Sequence, residues 1–473
     1  MAETLEVHPD RALPVDPDQR ALARSIFAQT QGLPLVSMHG HVEADVFADN
    51  RAFDDPARLL IVPDHYVTRM MVSQGVPLTD LGVPRSDGGP TEADPRAIWR
   101  RFCSNWKLYR GTPSRFWLEH ELVTVFGVTS VPSEETADAI YDQIASVVAG
   151  PDFRPRQLLD RFNIEIISTT DPASSGLTHH RRLADAGYGE RIVPTFRPDA
   201  VAYLDRPAWR DEVRRLGDAA GVEIGAYPHF LDALRCQRET FQRAGARASD
   251  HGHDHADTAP LDETVASALF TKALAGGPIT AEESRAFAGH MLFQFAAMAR
   301  DDGLVMQIHT GVLRNHHSAM FAQHGADKGF DIPFGAEYTH ALRPMLDAFG
   351  MDPGFRCILF TIDETVYSRE LAPLAGVYPS VRLGAPWWFI DSPEGMRRFR
   401  ETATETAGFY NMSGFVDDTR AFASIPARHD LSRRIDAGFL ARLVLEHRLG
   451  EDEAHETAVD LAYRIPQAAY ARR

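Results

Sequence analysis

"LPLVSMHGHVEAD" (residues 33–45) is an apolar, β-forming run that delivers two histidines separated by one glycine and then turns polar at once. Side chains at i and i+2 of an extended strand share a face. His39 and His41 can therefore meet one metal ion at a strand end, or hydrogen-bond as a pair at a rim. Seven further β-type runs end in polar or ionisable clusters: 164–171, 191–199, 246–253, 303–315, 355–364, 381–389 and 414–420. The fourth, "ARASDHGH", is the weakest β signal of the set. Helical segments such as "YTHALRPMLDAFG" (338–350) and "SPEGMRRFRETATETAGFY" (392–410) lie between them. Alternating strands and helices imply parallel pairing through crossovers. Eight units predict an α/β fold, a (β/α)8 TIM-type barrel whose site lies at the C-terminal strand ends.

The spacing is uneven. About 120 residues separate the first two runs, including the aromatic-rich "PRAIWRRFCSNWKLYRGTPSRFWLEHELVTVFG" (95–127). Residues 50–160 are expected to form a helical insertion over the mouth of a single barrel domain spanning 1–473. Residues 200–245 make a shorter excursion, and amphipathic helices close the chain.

The chain has 473 residues, 44% of them hydrophobic, and a net charge of −17 spread along its length. That balance argues against a nucleic-acid or anionic-membrane surface, while local arginines can still build an anion pocket. Three cysteines, none in a Cys-x-x-Cys pair, exclude a disulfide framework or thiolate zinc site. The N-terminus lacks an apolar signal core, and no stretch approaches the ~20 apolar residues of a membrane helix, so the cytoplasm is expected. There is no Gly-x-Gly-x-x-Gly after a strand and no Walker loop, so no nucleotide cofactor is expected. The absence of Gly-x-Ser-x-Gly counts against a serine hydrolase.

Imidazole nitrogens and carboxylates suit zinc and similar ions. His309, closing "VMQIH", and one of the adjacent Asp417 and Asp418 in "FVDDTR" join His39 and His41 as a candidate mononuclear set, because neighbouring strand residues face opposite ways and only one aspartate can look inward. Arg197 between two prolines in "PTFRPD", Arg314 in "GVLRNHH" and Arg420 in "DDTR" form a candidate anion-binding set, since guanidinium groups capture carboxylates bidentately. "PDHYVTR" (63–69) presents His65, Tyr66 and Arg69; a tyrosine beside an arginine or metal can have its pKa lowered enough to exchange protons. Trp387 and Trp388 could wall a sugar-sized pocket. "DHGHDHAD" (250–257) reads as a solvated polar loop, although Asp250 and His251 could face the mouth.

The ordered set of His-x-His (39–41), "DHYVTRMMVSQGV" (64–76), "STTD" (168–171), "PTFRPD" (194–199), "MQIHTGVLRN" (306–315), "KGFDIP" (328–333), "WWF" (387–389) and "DDTR" (417–420) resembles the uronate (glucuronate) isomerases of the amidohydrolase superfamily. The resemblance implies a (β/α)8 barrel, one divalent metal ion, often zinc, and interconversion of D-glucuronate with D-fructuronate or D-galacturonate with D-tagaturonate. By position it places His39, His41 and Asp418 on or beside the metal with His309 near. It places Arg197 on the substrate carboxylate, and His65, Tyr66, Arg420 and a tryptophan of the Trp387–Trp388 pair on the sugar.

Such chemistry moves a proton between C2 and C1 through an enediol, with Asp418, or Tyr66 ionised with help from Arg420, as base and the metal as Lewis acid. The chain departs from the family pattern at Ser37, where an aspartate is usual, at "RNHH" (314–317) and at "GAPWWF" (384–389). The alternatives are isomerisation of a related sugar acid, a superfamily hydrolase, or a barrel that only binds a metal or sugar acid. Hydrolases of this type often carry a histidine on strand six, where this chain reads "FTIDE" (360–364). A hexuronate is the expected small-molecule partner, and a homo-oligomer is expected.

Overall fold

The computed structural model describes residues 4–472. Seven parallel strands, β1 (Leu35–Ser37), β2 (Ile164–Pro172), β3 (Ile192–Arg197), β4 (Ala248–His251), β5 (Val305–Thr310), β6 (Cys357–Thr361) and β7 (Val381–Leu383), lie side by side in chain order. Most of their residues are buried, as expected for a parallel sheet covered by helices. The two-residue period sorts the side chains. Val36, Ile166, Val193, Ala248, Val305 and Ile358 pack into one interior cluster with Tyr470. Met306, Ile308, Leu359 and Leu383 turn outward to the helices. The Tyr470 hydroxyl donates to Gln307 Oε1 at 3.1 Å, so the C-terminal segment plugs the end opposite the strand termini.

The eighth expected strand does not form a regular one. Gly414 (φ 82°) and Asp418 (φ 43°) adopt left-handed conformations that break an extended run. Segment 411–419 nevertheless spans both sheet edges. Leu383 N–H donates to Asn411 O (2.8 Å) and Ser413 N–H to Leu383 O (2.9 Å). At the other edge Asp418 N–H donates to His39 O (3.2 Å) and His41 N–H to Thr419 O (2.9 Å).

The short fourth run is indeed a strand. Between β1 and β2 the chain is helical, from Ala44–Asp49 to Pro155–Arg161, and its Trp99, Phe102, Trp106, Tyr109 and Ile144 share one core with Leu35, Ile164 and Ile192 of the strands. Within it, Asp64 caps the helix His65–Val72 by accepting from Tyr66 N–H (2.8 Å), which sets His65 and Tyr66 in the first turn. No helix among the described residues is long and apolar enough to cross a membrane.

Candidate active site

A cavity of about 870 Å³ opens over the C-terminal strand ends. Its walls include most of the residues singled out from the sequence: His39, His41, His65, Tyr66, Arg197, Asp250, His309, Arg314, Trp387, Trp388, Asp418 and Arg420. Their proximity, across nearly 400 residues of sequence, follows from parallel strands that all end on one side.

β1 stops at Ser37, so His39 and His41 sit beyond the strand rather than at i and i+2 within it. Their rings meet edge-on, with centroids 5.3 Å apart. Both still reach one carboxylate: Asp418 Oδ1 lies 3.3 Å from His39 Nε2 and 3.0 Å from His41 Nε2. Asp418 Oδ1 is buried without a hydrogen bond. Donor atoms about 3 Å apart are what two ligands on one ion produce at bond lengths near 2.0–2.2 Å. The residues therefore fit a divalent cation.

The donors form two triads sharing His39: His39, His41 and Asp418, and His39, Asp250 and His309. Asp250 Oδ1 lies 2.7 Å from His309 Nδ1 and 3.8 Å from His39 Nδ1, and its Oδ2 lies 3.2 Å from Arg197 Nη1. The aspartate thus stands against His309, the position from which a carboxylate orients a metal-binding histidine, with His39 further off.

The adjacent aspartates divide as anticipated. Asp418 lines the cavity, while Asp417 is buried away from it, accepting from Ser37 Oγ (2.5 Å) and pairing with His429 Nε2 (3.2 Å). Burial opposes ionisation of Asp418, but the contacts with His39 and His41 outweigh it and hold the carboxyl well below its ordinary range.

Tyr66 differs from expectation. Burial, then Asp391, push its pKa well above the ordinary value rather than below it. Its hydroxyl donates to Asp391 (3.2 Å), which also accepts from Arg428 (2.9 Å), whereas Arg420 pairs with Asp327 (2.8 Å). The surroundings of Tyr66 therefore oppose its ionisation rather than assist it. Asp391 itself is pushed up to about 6 by burial, with Arg428 opposing the shift. Burial, then Arg420, lower His65 to about 3, leaving a neutral imidazole.

The three arginines are not free cations. Arg197 contacts Asp199 (Nε, 2.7 Å) as well as Asp250, and Arg314 pairs with Asp331 (3.1 Å) while lying over the Trp388 ring. Trp387 packs edge-on against His309, with centroids 4.7 Å apart.

The "DHGHDHAD" stretch is not a solvated loop: Asp250, His251 and His253 are all buried. The strand expected over 246–253 forms at 248–251 between β3 and β5 and buries the first two residues of this stretch. Sequence reading also passed over Asp199, Asp391 and Arg428. Asp199 stood in the quoted "PTFRPD", but nothing local marked the other two.

The chain matches the glucuronate isomerase family model over residues 18–470. The chain belongs to that family. It is similar to a uronate isomerase of Rhizobium meliloti strain 1021, 54% identical over 98% of this chain and 99% of the relative. A uronate isomerase of Phenylobacterium zucineum is 51% identical over 99% and 98%. Among solved structures, a glucuronate isomerase from Caulobacter crescentus superposes with a TM-score of 0.97 at 48% identity, covering 99% of this chain and 97% of that one. A uronate isomerase from Thermotoga maritima gives 0.91 at 29%, over 98% and 99%. Family membership makes this chain an isomerase.

Proposed function

We propose that this chain interconverts a hexuronate with its ketose, D-glucuronate with D-fructuronate or D-galacturonate with D-tagaturonate, by proton transfer between C2 and C1 through an enediol. The observation that carries the reading is the cavity in which Asp418, held ionised beside two imidazoles, faces the same space as Arg197. The near-full-length family match sets the reaction class.

Asp418 is the base that removes the C2 proton and returns it at C1. A positioned base of this kind contributes about 10²–10⁴-fold. Arg197 holds the substrate carboxylate at C6, which fixes the register of C1 and C2 against Asp418. Tyr66, kept protonated by burial and by the Asp391 acceptor, places a neutral hydroxyl beside the sugar. Neutral His65, Arg420, Arg314 and the Trp387–Trp388 pair line the remaining hydroxyls and one face of the sugar. His39, His41 and Asp418, with His309 alongside, would hold one divalent ion, zinc by donor type. When bound, that ion supplies Lewis-acid polarisation of a substrate oxygen. The fold reading that accompanies this is a single (β/α)8-type barrel over 1–473, with 411–419 as its eighth, irregular stave and 50–160 as an insertion over the mouth. A homo-oligomer in the cytoplasm is the accompanying expectation.

Proton NMR of glucuronate and galacturonate incubated with the protein in D₂O tests the proposal. Ketose should appear, with deuterium entering at the exchanged carbon. No conversion of either sugar would reject the reading in favour of a related acid or a hydrolytic reaction.

A further inference from the structure

Beyond Arg197, on the side away from the His39–His41–Asp418 triad, the ends of β3 and β4 bring a third donor group together. One ligand atom each of Asp199, His251 and His253 lies within 4.8 Å of the others, and all three residues are buried. His253 is 2% exposed, yet neither of its ring nitrogens has a hydrogen-bond partner, and His251 Nδ1 is likewise bare. Leaving buried polar groups unsatisfied is costly, so the cluster is built to receive something.

Asp199 Oδ2 accepts from Arg197 Nε (2.7 Å), both oxygens accept from the Gly252 N–H (3.0 and 3.1 Å), and Oδ1 faces His253 Nδ1 at 3.6 Å. That separation is longer than a hydrogen bond and suits two ligands on one ion. The remaining ring nitrogen of His251 contacts Ser249 Oγ (3.0 Å), which fixes the imidazole and leaves Nδ1 available. Burial pushes His251 down to about 3 and His253 to about 4, so both are neutral donors at pH 7.

Two carboxylates, Asp199 and Asp250, contact the guanidinium of Arg197, while Arg206 and Arg238 act on His253 and His251 from further away.

We infer that Asp199, His251 and His253 form a second divalent-cation site, selective for ions that accept imidazole and carboxylate donors, which ties β3 to β4 behind Arg197. Its position gives it a task in the proposed reaction. A cation on Asp199 draws that carboxylate's charge away from Arg197 and strengthens the guanidinium's hold on a substrate carboxylate. This task rests on the proposed role of Arg197; the metal site itself does not.

The test is metal analysis of the full chain, stripped with chelator, reloaded with Co²⁺ and dialysed. Two equivalents per chain are expected, falling to one in His253→Ala and in Asp418→Asn, and to none in the double variant. The visible Co²⁺ spectrum should lose a different component in each single variant. One equivalent in the native protein with none left in Asp418→Asn overturns the site, as does a second equivalent that survives His253→Ala. If His253→Ala does not fold, the stoichiometry of Asp418→Asn alone decides. KM for a uronate should rise several-fold in folded His253→Ala with kcat retained. Unchanged KM beside a lost equivalent removes the electrostatic task and keeps the site.

Discussion

Ser37 donates a 2.5 Å hydrogen bond to Asp417, joining the last residue of β1 to a segment 380 positions later in the chain. That link, with the backbone bonds from 39–41 to 418–419, holds the two ends of the sheet together where the metal-type donors sit. Ser37→Ala should lower stability by about 1.5–3 kcal/mol, the usual worth of a hydrogen bond to a charged group, read by denaturant titration. Ser37→Asp, which sets two carboxylates side by side, should cost more. A neutral result for both would show that the edges are held without this bond.

Asp418→Asn should abolish turnover, by at least the ~10²-fold attributed to a positioned base, while the circular dichroism spectrum stays native. Full activity in this variant sinks the assignment of Asp418.

Arg197→Met should cripple turnover of uronates. The substrate's carboxylate loses its partner, and Asp199 and Asp250 are left facing each other's charge. Arg197→Lys should recover part of the loss in KM but not the bidentate geometry. Steady-state kinetics of the two variants, compared with a neutral sugar as control, separates binding of the carboxylate from general damage.

Gly252 has no room for a side chain, because a Cβ would meet the Arg197 guanidinium and an Asp199 oxygen. Its N–H also donates to Asp199 at 3.0 Å. Gly252→Ala should therefore raise KM by displacing Arg197, with a smaller effect on kcat. Wild-type kinetics in this variant would show that Arg197 can shift without consequence.

Asp391 gives the pH prediction. Burial raises its carboxyl from near 4 to about 6 in the folded protein, Arg428 opposing. Between those values the native state holds a proton that the unfolded chain has released, so this residue's contribution is favourable in acid and is lost as pH rises through about 6. The loss is at most about 3 kcal/mol. Asp391→Asn should remove that component, making stability fall less steeply from pH 4 to 6 than in the parent chain. Identical slopes in urea titrations across this window would reject the assignment.

Much of this protein was readable in its local pattern. Apolar runs ending in ionisable residues marked the strands and their C-terminal ends, because burial on both faces of a parallel sheet demands such runs. The same runs carried about half of the residues now found around the cavity, among them His39, His41, Arg197, Asp250, His309 and Asp418. The reading failed where neighbours, rather than the run itself, decide the outcome. "DHGHDHAD" (250–257) reads as a solvated loop, yet Asp250, His251 and His253 are buried. The last stave, 414–420, looks like a strand, yet left-handed Gly414 and Asp418 bend it so that one aspartate faces the cavity and the other faces Ser37.

Tyr66 and Asp250 show the division most clearly. The sequence marked Tyr66 as a candidate site residue and gathered aspartates and histidines at strand ends; Tyr66, His39, His41, Asp250, His309 and Asp418 line the cavity, whereas Asp417 and His251 do not. Only the tertiary structure decided that Tyr66 answers to Asp391 instead of Arg420, and that Asp250 stands against His309 while gripping Arg197. Proton affinity and ion pairing depend on desolvation and on charges a few ångströms away. Those neighbours come from strands tens to hundreds of residues apart, and folding alone brings them into contact.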